Sequence, residues 1–144
     1  MADSNRETVE NFYKVINARD FDAWEKMLDR DYLWEMPQSG ERVRGVKNNC
    51  EMNKNYPGLP TAEPPRISGS EDKWITTPSW TVLKVTGSGD NYTGECKVTY
   101  PDGSVWHAVD IFTFRQGKIL HQVAYFGTSL EAPDWRAPWR EPSK

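Results

Sequence analysis

The chain has 144 residues, 37% apolar and 27% charged, with 18 basic against 21 acidic side chains and a formal charge of −3. That is the size and make-up of one soluble domain, without the basic excess that nucleic-acid binding needs, without an apolar run long enough for a membrane span, and with a polar N-terminus where a signal peptide would be apolar. A cytoplasmic protein that binds neither nucleic acid nor membrane is expected. The apolar residues themselves are unusual, because seven Trp, six Tyr and five Phe stand against only six Leu. Large rings line ligand pockets as readily as they fill cores.

Ser4-Asn5-Arg6-Glu7 forms a capping box, and Val9, Phe12, Tyr13 and Ile16 follow at spacings of three and four, which predicts a helix over about 5–18 with one apolar stripe. Asp20 is placed to cap a second, shorter helix in which Phe21, Trp24, Met27 and Leu28 share a face, closed by the Asp-Arg-Asp at 29–31. Residues 32–36 read as a strand ended by Pro37, with Trp34 and Met36 on one side and Glu35 on the other. A loop at 38–41 leads to a weakly patterned third helix over about 46–55, which Tyr56-Pro57-Gly58-Leu59-Pro60 stops. The proline-rich stretch 57–65 reads as a connection within the domain.

From residue 66 onward the pattern becomes strands separated by turn signals at 87–90, 101–103 and 115–117, spacings suited to an antiparallel meander. Helices first and sheet second indicate an α+β domain. The strand 92–100 alternates with one wet face. Cys50 and Cys96 have no His or Cys at ligand spacing, which predicts two reduced structural thiols and neither a metal site nor a redox pair.

The strand 105–114 is apolar on both faces and is expected to be central. Its alternation sets Asp110 between Ala108 and Phe112, in a ring-lined place where ionisation loses water and gains little, so the carboxyl's pKa is expected to rise. Such an acid is a candidate proton donor or acceptor near neutral pH; it can equally be a structural acceptor of hydrogen bonds. Gly117 reads as the third residue of a three-residue hairpin loop, which sets Phe114 opposite Lys118, Phe112 opposite Leu120, Asp110 opposite Gln122 and Trp106 opposite Phe126. Gln122 then becomes the hydrogen-bond partner of Asp110, while His107 and His121 fall on the other face. Beyond the last strand, Pro133 and Pro138 preclude a long helix, and Trp135 and Trp139 predict a docked tail that covers the pocket mouth, clasps a partner subunit or packs on its own sheet.

Three helices, the short strand ending in Trp34-Glu35-Met36-Pro37-Gln38-Ser39-Gly40, and the meander with His107-Ala108-Val109-Asp110-Ile111-Phe112 and Gly117-Lys118-Ile119 resemble the nuclear transport factor 2-like superfamily, over roughly 7–128. The SnoaL-like polyketide cyclases, ketosteroid isomerases and limonene epoxide hydrolases belong to it. The resemblance implies a cone-shaped α+β fold, with three N-terminal helices packed on a strongly curved, mostly antiparallel sheet, an apolar pocket at the open end and homodimers through the outer sheet face. It divides the chain into a SnoaL-like domain, 1–128, and a tail, 129–144.

Asp110 matches the carboxylate of the isomerase oxyanion hole and resembles the acid-base aspartate of the cyclases. The isomerase's first-helix tyrosine falls on Phe12 and its general-base aspartate on Met36, while the hydrolase's arginine and second acid fall on Ala108 and Ala124. What the resemblance leaves is a cofactor-free enzyme that uses Asp110, oriented by Gln122, for isomerisation, cyclisation or dehydration of an apolar small molecule. The pocket would be lined by Phe12, Trp34, Met36, Trp106, Phe112 and Phe126, with Asn53 and Tyr56 at its rim. A non-catalytic binding module of the same fold is the alternative, which the loss at Phe12 and Met36 favours; an adaptor for other proteins is a third, for which no docking stripe stands out.

Overall fold

The structure is a computed structural model, and its described residues are 4–55, 79–100 and 103–142. The expectations for Tyr56 and for the connection 57–65 lie outside them. The apolar stripe at 9, 12, 13 and 16 folds as α1 (Ser4–Ala18), with Val9, Phe12 and Tyr13 fully buried. Asp20 caps α2 (Phe21–Met27), its carboxylate accepting from the Ala23 amide at 3.1 Å. The third helix, α3 (Val46–Lys54), follows a strand pair, so only two helices precede the sheet.

The strands are β1 (Leu28–Met36), β2 (Glu41–Arg44), β3 (Ser79–Ser88), β4 (Asn91–Thr99), β5 (Val105–Arg115) and β6 (Lys118–Thr128). They form one curved, mixed sheet in the order β2-β1-β6-β5-β4-β3, antiparallel throughout except where β1 runs parallel to β6. Two expectations need correction here. β2 begins inside the loop expected at 38–41, and β1 begins at Leu28, where the sequence pattern predicts an acidic helix end. Asp29 and Asp31 do not close a helix; Arg115 reaches across from the end of β5 and holds both, at 2.5 Å and 2.7 Å. Its guanidinium also keeps the Asp29 carboxyl below the usual carboxylate range.

The β5–β6 hairpin differs from the expected register in an instructive way. Its loop has two residues, Gln116 and Gly117, both at positive φ (51° and 78°), the type I′ geometry that matches strand twist. That moves every partner by one, and an extra residue, Leu120, between the pairs Thr113–His121 and Phe114–Ile119 moves them by one more. Asp110 therefore lies opposite Ala124, Phe112 opposite Gln122, Trp106 opposite Thr128 and Phe114 opposite Ile119. A single slip would have turned every β6 side chain to the other face; the two together restore the expected parity. Asp110 and Gln122 still share the inner face, as diagonal neighbours.

The helices cover that inner face, where Phe12, Trp24, Tyr32, Tyr92, Phe112 and Ile119 are central to the core. The outer face is less covered than the apolar alternation of β5 implied: Val109, Ile111 and Tyr125 are 36%, 41% and 41% exposed. The tail forms a short 3-10 helix (Asp134–Trp139), and the expected docking on its own chain is not found, since Trp135 and Trp139 remain 71% and 80% exposed. Among the described residues, no helix is long and apolar enough to cross a membrane.

Gln116 adopts the left-handed region at a steric cost that Asn escapes. Gln116→Asn is expected to stabilise the fold by roughly 0.5 kcal/mol, seen as a higher urea midpoint at unchanged slope; a lower midpoint would contradict the turn assignment.

Candidate active site

Asp110 is completely buried on the inner face, and two other elements reach its carboxyl, with a third behind them. From α1, the Tyr13 hydroxyl donates to Oδ2 at 2.7 Å. From β6, the Gln122 amide donates through Nε2 to Oδ1 at 3.1 Å. From β1, the Tyr32 hydroxyl donates to Gln122 Oε1 at 2.6 Å. An ionised carboxylate only accepts, so the amide nitrogen of Gln122 must face Asp110, and Tyr32 locks that orientation from behind.

Gly94 makes the first of these contacts possible. It lies opposite Asp110 on β4, and a Cβ there would stand 2.3 Å from the Tyr13 hydroxyl oxygen. Tyr13, the residue after Phe12, brings a phenol to Asp110, while Phe12 packs edge-on against Phe112 at 5.2 Å.

Burial pushes the Asp110 carboxyl up to about 6, and the hydrogen bonds from Tyr13 and Gln122 keep it from rising further. Burial, with the nearby Asp110 charge, carries Tyr13 and Tyr32 well above the phenol range, so both remain donors at every physiological pH. Burial also pushes the Cys96 thiol, beside Tyr13, up to about 12 and keeps it neutral.

Asp110 and Gln122 form part of the wall of a cavity of about 260 Å³. Of the expected lining, Phe12, Trp34, Asn53 and Phe126 are on that wall. Three expected residues are not. Phe112 is sealed in the core against Phe12 and Tyr13, Trp106 packs on Tyr100 with its indole bonded to Ser104, and Met36 sits at the β1–β2 pair opposite Glu41. Strand parity gives a residue's face but not its distance along the strand from the site. Sequence reasoning missed Trp24, Tyr32, Asn49, Met52 and Trp80, which complete much of the wall. Their positions depend on how helices and distant strands converge, although the apolar faces of α2 and β1 carried a signal for Trp24 and Tyr32.

Two side-chain amides fix the rings at the wall. Asn17 accepts from the Trp80 amide and donates to its carbonyl, both at 2.8 Å. Gln38 does the same for Phe126, both at 2.6 Å. The two rings so held touch edge-on at 5.8 Å. Glu35 turns to the other face, as expected, where it meets His121 at 3.0 Å and Arg42 at 2.6 Å, contacts that hold its carboxyl below the usual range.

A curved sheet carrying helices on one face is the fold of the nuclear transport factor 2-like superfamily. The SnoaL-like domain profile matches residues 9–122, and the chain belongs to this SnoaL-like family. Among solved structures, it is 28% identical to a nuclear transport factor 2-like protein of unknown function from Burkholderia xenovorans LB400, covering 98% of this chain and 96% of that one with a TM-score of 0.78. A candidate ketosteroid isomerase from Kribbella flavida DSM 17836 has a TM-score of 0.79 at 18% identity, over 98% and 90% of the two chains. An epoxide hydrolase of M. tuberculosis resembling limonene epoxide hydrolase has a TM-score of 0.64 at 16% identity, over 85% and 82%. No curated protein matches the chain in sequence. The family is thus one whose fold is shared with small-molecule enzymes.

The folded state holds the Asp110 proton up to about pH 6, whereas the unfolded chain releases it near 3.8. Folding therefore binds a proton in that window, and this carboxyl's contribution to stability is lost as the pH rises through it. Asp110→Asn is expected to gain on wild type by up to about 3 kcal/mol between pH 4 and pH 7, as measured by urea unfolding; a constant difference would refute the raised pKa. Gly94→Ala, which forces Tyr13 off its acceptor, is expected to destabilise by about 2 kcal/mol and to move the Asp110 midpoint upward in a ¹³C NMR titration.

Proposed function

We propose that this protein is a cofactor-free SnoaL-like enzyme in which Asp110 transfers a proton within an apolar substrate, in an isomerisation, cyclisation or dehydration. One observation carries the reading: a fully buried carboxyl on the wall of an apolar cavity, gripped by two donors and balanced at about pH 6. A group so balanced is populated in both states near neutrality, which is what a combined acid and base requires. In its ionised form Asp110 takes a proton from a substrate carbon as the C–H electron pair moves into the adjoining bond. The resulting carboxylic acid returns that proton, to another carbon in an isomerisation or to a departing hydroxyl that leaves as water. Either way the carboxylate is regenerated.

Gln122 and Tyr13 act as positioning residues in this scheme. They fix both carboxyl oxygens and stabilise the ionised form, so the proton is not held too tightly to be returned. Phe12, Trp34 and Phe126 exclude water and hold the substrate, and Asn53 contributes a polar edge. The same reading includes a homodimer through the outer sheet face, supported by the exposed Val109, Ile111 and Tyr125, with residues 129–144 as a tail distinct from domain 1–128 whose two exposed Trp reach the partner copy.

A binding module without chemistry is the second reading. The observation in its favour is that, among the described residues of the wall, Asp110 has no second carboxylate or histidine beside it. Native mass spectrometry of the purified protein identifies a retained small molecule, and turnover of that compound separates the two readings. Asp110→Asn is expected to lower kcat by 10²-fold or more with little change in KM. Tyr13→Phe removes a bond that favours the carboxylate, so it is expected to shift the acidic limb of the pH–rate profile upward. Retention of the compound without turnover would establish the binding module. For the assembly, sedimentation of Ile111→Lys is expected to show monomers where wild type shows dimers.

A further inference from the structure

Among the described residues of the cavity wall, Asp110 is the one acid and Arg19 the one base. The chemistry read at Asp110 makes no use of Arg19. Phe12, Ile16 and Arg19 follow one another at spacings of four and three, and all three are on the wall, so the face that α1 turns to the cavity runs from a ring to a guanidinium-bearing side chain.

Two properties set Arg19 apart from an arginine that merely borders a surface. The first is its backbone. α1 ends in a Schellman motif, the Arg19 amide donating to the Ile16 carbonyl and the Asp20 amide to the Val15 carbonyl, both at 3.0 Å, and Arg19 occupies the left-handed position of that motif at a φ of 53°. Glycine is the usual residue there, because a Cβ crowds the following carbonyl oxygen; side chains kept at strained positions of this kind cluster at ligand clamps. The second is hydration. Arg19 is half-buried, and burial lowers the pKa of its guanidinium, so the charged head as well as the stem has given up water. Asp20, the next residue and an acid, is turned to the start of α2, where its carboxylate accepts from the Ala23 amide.

We propose that the ligand of this cavity is an otherwise apolar molecule that carries one carboxylate, and that the Arg19 guanidinium binds it. One guanidinium on a wall whose other described residues are neutral, Asp110 apart, matches a monoanion; a phosphate dianion would call for more positive charge than the described wall offers. The planar fork meets both carboxylate oxygens with two of its five N–H groups and leaves the others for contacts with the protein. Arg19 lies six residues beyond Tyr13, the α1 residue that reaches Asp110, a rise of roughly 9 Å along the helix. Recognition of the carboxylate is therefore separate from proton transfer at Asp110. This rests on reading the cavity as the ligand site and requires no particular chemistry there.

2-Naphthoate and 2-naphthamide have nearly the same shape, and only the first is charged. At about pH 5 the probe carboxyl is ionised while Asp110, which titrates at about 6, keeps most of its proton. Titration calorimetry on the full chain under those conditions is expected to show 2-naphthoate binding about tenfold or more tightly than 2-naphthamide. Arg19→Gln keeps most of the stem and removes the charge, and Arg19→Gly also relieves the left-handed backbone. Each is expected to abolish the preference, with 2-naphthamide affinity unchanged in Arg19→Gln and a urea midpoint at or above the wild-type value in Arg19→Gly. Equal binding of the two probes by the wild type overturns the proposal while leaving the cavity as a ligand site. A preference that survives in Arg19→Gln overturns it too, by assigning the carboxylate to another group; joined to a lower urea midpoint in Arg19→Gly, it would give Arg19 a structural role instead. If neither probe binds, both this inference and the ligand-site reading fail.

Discussion

The inner face of this protein is organised around a single desolvated carboxyl. Asp110 is fully buried, and among the described residues its carboxyl is held by two neutral donors from different elements, Tyr13 and Gln122, the second held in place by Tyr32. Those contacts tie α1, β1 and β6 to β5. Gly94 belongs to the same arrangement, because the helix can bring its phenol to the sheet only where β4 has no side chain. Sequence-distant positions are thus constrained together: altering any one leaves a polar atom buried without a partner, a larger penalty than the loss of an average contact.

Opposing electrostatic effects set the acid's behaviour. Burial alone would neutralise it, and a full ion pair would fix its charge; neutral donors take it only part of the way back. Asp29 is the counterexample within the same chain, an acid gripped by Arg115 and held firmly ionised at the margin of the sheet. The two carboxyls differ in surroundings rather than in kind, which is why one is raised and the other lowered from the same starting value.

Much of this was legible in the sequence, for reasons that can be named. Helical spacing gave α1 its buried stripe, the Asp20 cap located α2, and alternation placed Asp110 and Gln122 on one face. Alternation has only two outcomes, and two one-residue errors at the β5–β6 hairpin cancelled. Less was legible where position depends on the third dimension. β2 is short and polar, and the parallel joining of β1 to β6 is not encoded locally. Phe112 and Trp106 shared the correct face with Asp110 but lay too deep or too far along it to reach the cavity. Tyr13 was read as core and Phe12 as the site residue beside it, although both point inward. Only the gap at Gly94 decides which ring reaches the acid.

The amide clamps on Trp80 and Phe126 have a consequence for how such a pocket changes over time. Each ring is anchored through its own main chain by a side chain from elsewhere, Asn17 or Gln38, so the position of the main chain at that point does not depend on what the ring is. Any residue substituted at 80 or 126 would offer the same N–H and C=O to the same clamp, proline excepted. The scaffold therefore separates holding a position from filling it, and lets the lining of the cavity change at these two sites while Asp110 and its supports stay as they are.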